Sequence, residues 1–234
     1  MDALLLADSF VKSFGRKRVL TSATIWARAG RITVVMGLNG SGKTTLIRSA
    51  LGLERAEQGI VRYQGEVFLR PRLWRLAARG LFYLPDRGLL SRRMRMKDQL
   101  DLIRTRFGGE KREDVLARLE VDGFLDALPG EMSGGELRRA ELALALIRRP
   151  TCLIADEPLT EIEPKDRGLI MAVLRAEAAS GTAVLVTGHE VGDLLSLSDE
   201  VIWLAAGTTH GLGSPDQARA HDQFRREYLG PRAG

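Results

Sequence analysis

The chain has one cysteine, Cys152, so no internal disulfide can form and nothing points to an oxidising compartment. No apolar run approaches the roughly 18 residues a membrane-spanning helix needs; the strongest stretches are 142–147 and 201–206. The apolar segment at residues 3–7 is too short for a secretory signal, and the expected location is the cytoplasm. No internal repeat and no low-complexity block occurs. Lysine is scarce: six of the 35 basic residues are Lys and the others Arg, so a lysine inside a glycine-rich loop stands out. What is present, 234 residues with 44% apolar and 28% charged, excludes wholesale disorder and suffices for a sizeable core.

The net charge is +5, yet ten basic residues between Arg62 and Lys97 face only two acids, Glu66 and Asp86. That local excess is larger than the excess of the whole chain. It fits an anionic partner, a membrane surface or an acidic protein groove, and equally a solvated arginine-rich face. Within it, the spacing of Arg72, Arg75 and Arg79 predicts one shared helix face, with Leu73 and Leu76 on another.

Short β-rich runs alternate with helical stretches. Strands are predicted over 4–8, 24–29, 32–36, 60–63, 81–84, 151–155, 183–187 and 201–204. Those at 32–36, 151–155 and 183–187 are almost wholly apolar, as strands buried on both faces of a parallel sheet are. Helices over 42–51, 164–179 and 191–197 follow them, the βαβ pattern of an α/β protein. From Met96 to about Arg149 no strand is predicted, and Leu100, Ile103, Phe107, Val115, Leu116 and Leu119 recur at helical spacing, broken at Gly108-Gly109 and Pro129-Gly130. One or two short surface helices are expected over 216–229.

Three motifs carry chemistry. Gly37-Leu38-Asn39-Gly40-Ser41-Gly42-Lys43-Thr44-Thr45 follows a buried strand and opens a helix, the context of a phosphate-binding loop. Its glycines let backbone N–H groups turn inward as an anion nest, and the helix offers its positive end. Lys43 is suited to the β- and γ-phosphates, and the Thr44 hydroxyl to Mg²⁺. Asp156 and Glu157 end an apolar strand, where ligands bind in open α/β sheets; one acid suits a metal, the other a water molecule. Ser133-Gly134-Gly135-Glu136 opens a long helix and forms a second anion site, which a single chain does not need. Two chains packed head to tail would set the Ser133 turn of one against the phosphates held by Lys43 of the other.

Together these residues resemble the nucleotide-binding subunit of ATP-binding cassette (ABC) transporters, over nearly the whole chain. The loop at 37–45 is similar to the family's Walker A motif, Asp156-Glu157 to its Walker B, and Ser133-Gly134-Gly135-Glu136 to its signature motif. The resemblance implies a P-loop NTPase core with a mixed sheet, an N-terminal antiparallel β part and an inserted helical subdomain. The core would be residues 1–85 and 150–215, the helical part 86–149, and a short helical tail 216–234. It implies ATP and Mg²⁺ as ligands, Phe14 stacked on adenine, His189 as the histidine touching the γ-phosphate, and Glu157, His189 and Lys43 as catalytic groups. Thr44, Asp86 and Asp156 would hold the metal. The implied partners are a transmembrane permease and a second ATP-binding subunit, with no specific nucleic acid, and the implied place is the inner face of the cell membrane. Residues 79–84 and the ending 226–230 look most like the branched-chain amino-acid import and lipopolysaccharide export subgroup.

Four positions depart from the pattern. Asp86 stands where Gln is usual, Glu163 where the D-loop has Asp, Gly188 where Asp often precedes the histidine, and Leu144 where the signature helix frequently has Arg. None removes Lys43, Thr44, Asp156, Glu157 or His189, so an active ATPase is expected. The rivals are a P-loop kinase and a soluble ABC ATPase acting on nucleic acid or ribosomes.

Overall fold

The computed structural model describes residues 3–107 and 113–230. Ten strands among them form one sheet: β1 (Leu5–Phe14), β2 (Lys17–Ala27), β3 (Ile32–Met36), β4 (Gln58–Tyr63), β5 (Glu66–Phe68), β6 (Leu81–Leu84), β7 (Cys152–Ala155), β8 (Ala183–Gly188), β9 (Glu200–Ala205) and β10 (Thr208–Gly213). The order across the sheet is β5-β4-β1-β2-β10-β9-β3-β8-β7-β6. The half from β9 to β6 is parallel, while β5, β4, β1 and β2 pair antiparallel. The halves join where Thr208 of β10 pairs with Ser22 of β2. This is the mixed sheet with an antiparallel N-terminal part that the family resemblance implies.

Every residue of β3, β7 and β8 is buried, which is why their sequences, Thr33 and Thr187 apart, are apolar rather than alternating. Val34 and Met36 of β3 face one core with the helices α5 (Gly134–Ile147), α6 (Pro164–Ala179) and α7 (Val191–Leu197); Val35 faces a second core with α1 (Lys43–Ala50). In order along the sheet, β3, β8, β7 and β6 deliver the 37–42 loop, His189, Asp156-Glu157 and Pro85-Asp86 from their C-terminal ends. The four chemistry-bearing segments are therefore neighbours because their strands are.

Between β6 and β7 lie α3 (Met96–Phe107), α4 (Glu113–Arg118), 3₁₀ turns at Asp122–Phe124 and Pro129–Glu131, and α5, with no strand among the described residues. Leu100, Val115, Leu116 and Leu119 join the first core as their spacing predicts. Phe107 does not: it is 48% exposed, and the Arg148 guanidinium lies 3.9 Å from its ring centroid. The predicted break at Gly108-Gly109 lies outside the described residues.

Two further expectations are corrected. Strands β1 and β2 are about twice as long as predicted, because bulges and the positive φ of Ser9 (56°) disturb the alternation on which the sequence reading relied. The arginine helix face does not form. Helix α2 spans only Leu73–Ala77, Arg72 precedes it in extended backbone, and Arg79 follows it, paired with Glu66. At the C-terminus α8 (Pro215–Ala220) and α9 (Asp222–Phe224) lead into a wide turn at Arg225–Leu229.

Candidate functional site

Gly40 (φ 77°) and Gly42 (φ 106°) take left-handed backbone that L side chains rarely adopt. A Cβ on Gly42 would also lie 2.9 Å from Val19 Cγ1. The loop passes this close to β2 on its way into α1, whose first turn holds no acid to offset its positive end. Leu38, Asn39 and Gly40 are exposed, Thr44 and Thr45 half-buried, and Lys43 is buried. The Lys43 ammonium donates to the Gly37 carbonyl at 2.9 Å and lies 3.5 Å from Glu157 Oε1. Ser41 Oγ is buried with no hydrogen-bond partner among the described residues, an orphaned polar atom at the point where phosphate oxygens would arrive.

Asp156 is fully buried. Its Oδ1 accepts the Thr187 hydroxyl at 2.5 Å, and its Oδ2 accepts that of Tyr83 at 3.4 Å. Burial pushes the carboxyl above its ordinary range; bonds from Thr187 and Thr44 pull back, and the charges of Asp86 and Glu157 push the same way as burial. Glu157 sits at φ 49°, its N–H donating to Thr187 Oγ1 at 3.0 Å. The Thr160 hydroxyl donates to Glu157 Oε2 at 3.1 Å, and His189 Nδ1 is 3.4 Å from the same oxygen. His189 Nδ1 is buried without a hydrogen bond, while Nε2 faces Glu190 Oε1 at 3.4 Å.

Lys43, Asp156, Glu157 and His189 thus converge, with Thr44 bonded to Asp156 and the exposed Asp86 near enough to raise that acid's pKa. Phe14 is 49% exposed at the end of β1, with the Lys12 ammonium 4.5 Å from its ring centroid, so it is no core residue. Ser133 and Glu136 do not join the cluster. They bond each other across the start of α5: Ser133 Oγ accepts from the Glu136 N–H at 3.2 Å, and Glu136 Oε2 from the Ser133 N–H at 2.8 Å. This capping box draws the Glu136 carboxyl below its usual range, and it leaves Ser133 and Gly134 exposed. Gly135 is buried; a Cβ there would fall 1.6 Å from Asp166 Oδ2.

Several site residues escape the sequence reading. Thr187, the polar residue near the end of an apolar strand, was legible in principle. Glu190 was not: it places a carboxylate beside His189 where Gly188 lacks one, and a Cβ on Gly188 would lie 3.0 Å from Leu194 Cδ1. Tyr228 also comes from a distance, its hydroxyl 3.5 Å from the Gly37 carbonyl; burial, against that bond's opposing pull, raises its pKa to about 12, so it stays a neutral donor.

The residues present fit a divalent cation. Thr44, Asp86 and Asp156 offer hard oxygens without forming a closed cage among the described residues, the arrangement a magnesium ion takes when phosphates complete its shell.

A parallel-sheet core, a glycine loop feeding a helix N-terminus, and two carboxylates on a neighbouring strand define a P-loop nucleoside triphosphatase. The ABC transporter family matches residues 20–160. A probable ABC transporter ATP-binding protein of Azorhizobium caulinodans is 31% identical over 97% of this chain and 83% of its own length. The lipopolysaccharide export system ATP-binding protein LptB of Haemophilus influenzae is 28% identical over 97% of this chain and 98% of its own. MJ1267, an ATP-binding cassette of an ABC transporter solved in its ADP conformation, superposes with a TM-score of 0.84 at 22% identity, covering 98% of this chain and all of that one. The chain belongs to the ABC transporter family, as an ATP-hydrolysing subunit that powers a membrane transporter. The kinase and nucleic-acid alternatives lose their support.

Proposed function

We propose that two copies of this chain, or this chain and a close relative, close on two ATP molecules, each held between Lys43 of one subunit and the Ser133 turn of the other. The observation that carries this reading is the split of the motifs: Lys43, Asp156, Glu157 and His189 share one cluster, whereas Ser133 and Gly134 are exposed and bonded only locally. A helix N-terminus capped by its own side chains and turned to solvent is ready for an anion from outside the chain.

In this reading adenine stacks on Phe14, and residues 37–45 wrap the phosphates with backbone N–H groups. The Lys43 ammonium neutralises charge on the β- and γ-phosphate oxygens. Thr44, Asp156 and Asp86 would hold Mg²⁺, which would supply further neutralisation of the phosphate charge. Glu157 orients the attacking water and accepts its proton. Thr160 and His189 hold that carboxylate in place, and His189, braced by Glu190, reaches the γ-phosphate. Loss of the γ-phosphate removes the shared contacts and the pair reopens.

Opening and closing would be passed to a transmembrane permease at the inner face of the cell membrane. No described helix is long and apolar enough to cross it. Residues 86–149 would move as a helical subdomain against the core. A cleft of about 530 Å³ is lined by residues of this part, among them Asp86, Arg87, Arg92 and Leu137, and by Glu157 and Glu161, so a permease segment entering it would reach the carboxylate that orients water.

Complementation tests the shared site. K43A and S133R chains are each inactive as self-pairs, but their mixture has one intact Lys43–Ser133 pairing in each mixed dimer and recovers turnover. A mixture as inactive as its components would contradict the shared seam.

A further inference from the structure

Helix α5 carries two adjacent buried arginines that reach opposite ways. Arg139 turns outward to the Leu119 carbonyl at 2.6 Å and to Asp166 at 3.0 Å, holding the helix to its neighbours. Arg138 turns inward. Its Nη1 donates to the Pro85 carbonyl at 2.6 Å and to Glu141 Oε2 at 2.8 Å, and its Nη2 donates to the Asp156 carbonyl at 2.6 Å. Arg138 is 5% exposed and Glu141 2%, so the pair is closed off from solvent. The other Glu141 oxygen accepts the Leu89 N–H at 3.2 Å.

The Asp156 carbonyl belongs to the peptide that joins Asp156 to Glu157. The N–H of that same peptide is bonded to Thr187 Oγ1 at 3.0 Å. Both ends of one peptide plane are thus held, Arg138 on the oxygen and Thr187 on the nitrogen. The next torsion is Glu157 φ at 49°, a left-handed value a glutamate adopts only when its surroundings impose it. The other prong of Arg138 grips Pro85, the residue before Asp86, which lines the cleft. A planar guanidinium with five donors can satisfy these acceptors together; an ammonium cannot.

We infer that Arg138, braced by Glu141, is a positioning residue for ATP hydrolysis: it fixes the Asp156–Glu157 peptide and ties it to the loop at Pro85-Asp86. Any displacement of that loop is carried by one side chain to the backbone of the carboxylate that orients water. This rests on the assignment of Glu157 above. The Arg138 side chain bonds to no residue of the 37–45 loop and not to Phe14, so its loss acts more on the placement of Glu157 than on the capture of nucleotide.

The test compares R138Q, R138K and E157Q in steady-state ATP turnover, with melting temperatures taken alongside. In R138Q, kcat falls about tenfold or more while KM for ATP stays within about twofold, because a small misplacement of a catalytic group is costly and the phosphate loop and Phe14 keep their own contacts. R138K keeps the buried charge, but its compact ammonium spans fewer of the separated acceptors than the guanidinium, so it folds like the parent and recovers part of the lost kcat. A folded R138Q with parental kcat, or one in which only KM changes, overturns the inference. If R138Q does not fold, parental kcat in R138K overturns it instead. An inactive E157Q beside a normal R138Q rejects the Arg138 role alone; an E157Q that turns over normally rejects the Glu157 assignment beneath it.

Discussion

Replacing Gly135 by alanine would set a methyl carbon 1.6 Å from Asp166 Oδ2 and 2.5 Å from its Cγ. Asp166 cannot simply swing away, because its carboxylate is paired with Arg139 at 3.0 Å, the two side chains 14% and 8% exposed. Overpacking of this kind costs about 1–3 kcal/mol, and breaking a buried pair from one side reaches about 3–5 kcal/mol. Arg139 retains the Leu119 carbonyl at 2.6 Å, which softens the second term. A loss of about 2–4 kcal/mol follows, or roughly 5–15 °C in melting temperature for a chain of this length. Thermal and urea unfolding of G135A, D166A and the double variant measure it. In the D166A background the obstructing carboxylate is gone, so G135A costs less than about 1 kcal/mol there. Equal costs of G135A in both backgrounds would refute the packing argument. Gly134 gives the contrast: its nearest neighbour to an added Cβ is the Glu161 carbonyl at 3.7 Å, ordinary contact. G134A therefore keeps its stability within about 1 kcal/mol, yet loses turnover by about tenfold or more, because a methyl intrudes where the other subunit's phosphate would bind.

Three further outcomes are expected. Burial holds the Asp156 carboxyl above its ordinary range, so in the window between the ordinary and raised values the folded chain binds more protons than the unfolded one. The stability contributed by this group therefore falls as pH rises through that window, and metal-free D156N gains on the parent in melting temperature from acid to neutral pH; a constant difference would contradict the shift. F14A raises KM for ATP about threefold to tenfold with an unchanged melting temperature, since Phe14 is exposed in the absence of adenine; an unchanged KM would remove it from the nucleotide site. R72E/R75E weakens co-purification with a membrane partner and leaves basal turnover intact, as both arginines are exposed and remote in contact from Lys43 and Glu157; undiminished partner binding would make the patch a solvated surface.

The sequence made the parallel half of the sheet legible because its strands are buried on both faces and read as unbroken apolar runs. The antiparallel half was read only in part: bulges in β1 and the polar start of β2 at Lys17-Arg18 hide the alternation, and β10 buries only Leu212 deeply. Asp156, Glu157 and His189 were singled out because each follows the end of a buried strand with a residue type suited to metal or proton chemistry, and Lys43 because it opens α1 directly after the glycine loop. Arg138, Glu141, Glu190 and Tyr228 were not. The roles of Arg138 and Tyr228 depend on carbonyls far away in the chain, at Pro85, Asp156 and Gly37, and no local spacing encodes those encounters; Glu141 and Glu190 lie close in sequence to Arg138 and His189, but spacing alone does not show that they touch them. The arginine run misled for the same reason, since its helical spacing was real but Gly80, with φ 90°, and the Arg79–Glu66 pair end the helix early.

The most direct measurement of the central claim is the solution mass of E157Q by light scattering, with and without ATP and Mg²⁺. Without nucleotide the chain should run at its own 25.8 kDa. With nucleotide bound and hydrolysis blocked, it should run at twice that mass, and S133R introduced alongside should return it to the single-chain value. A chain that binds nucleotide tightly and still keeps the single-chain mass, alone and mixed with its paired ATP-binding relative, would contradict the shared seam.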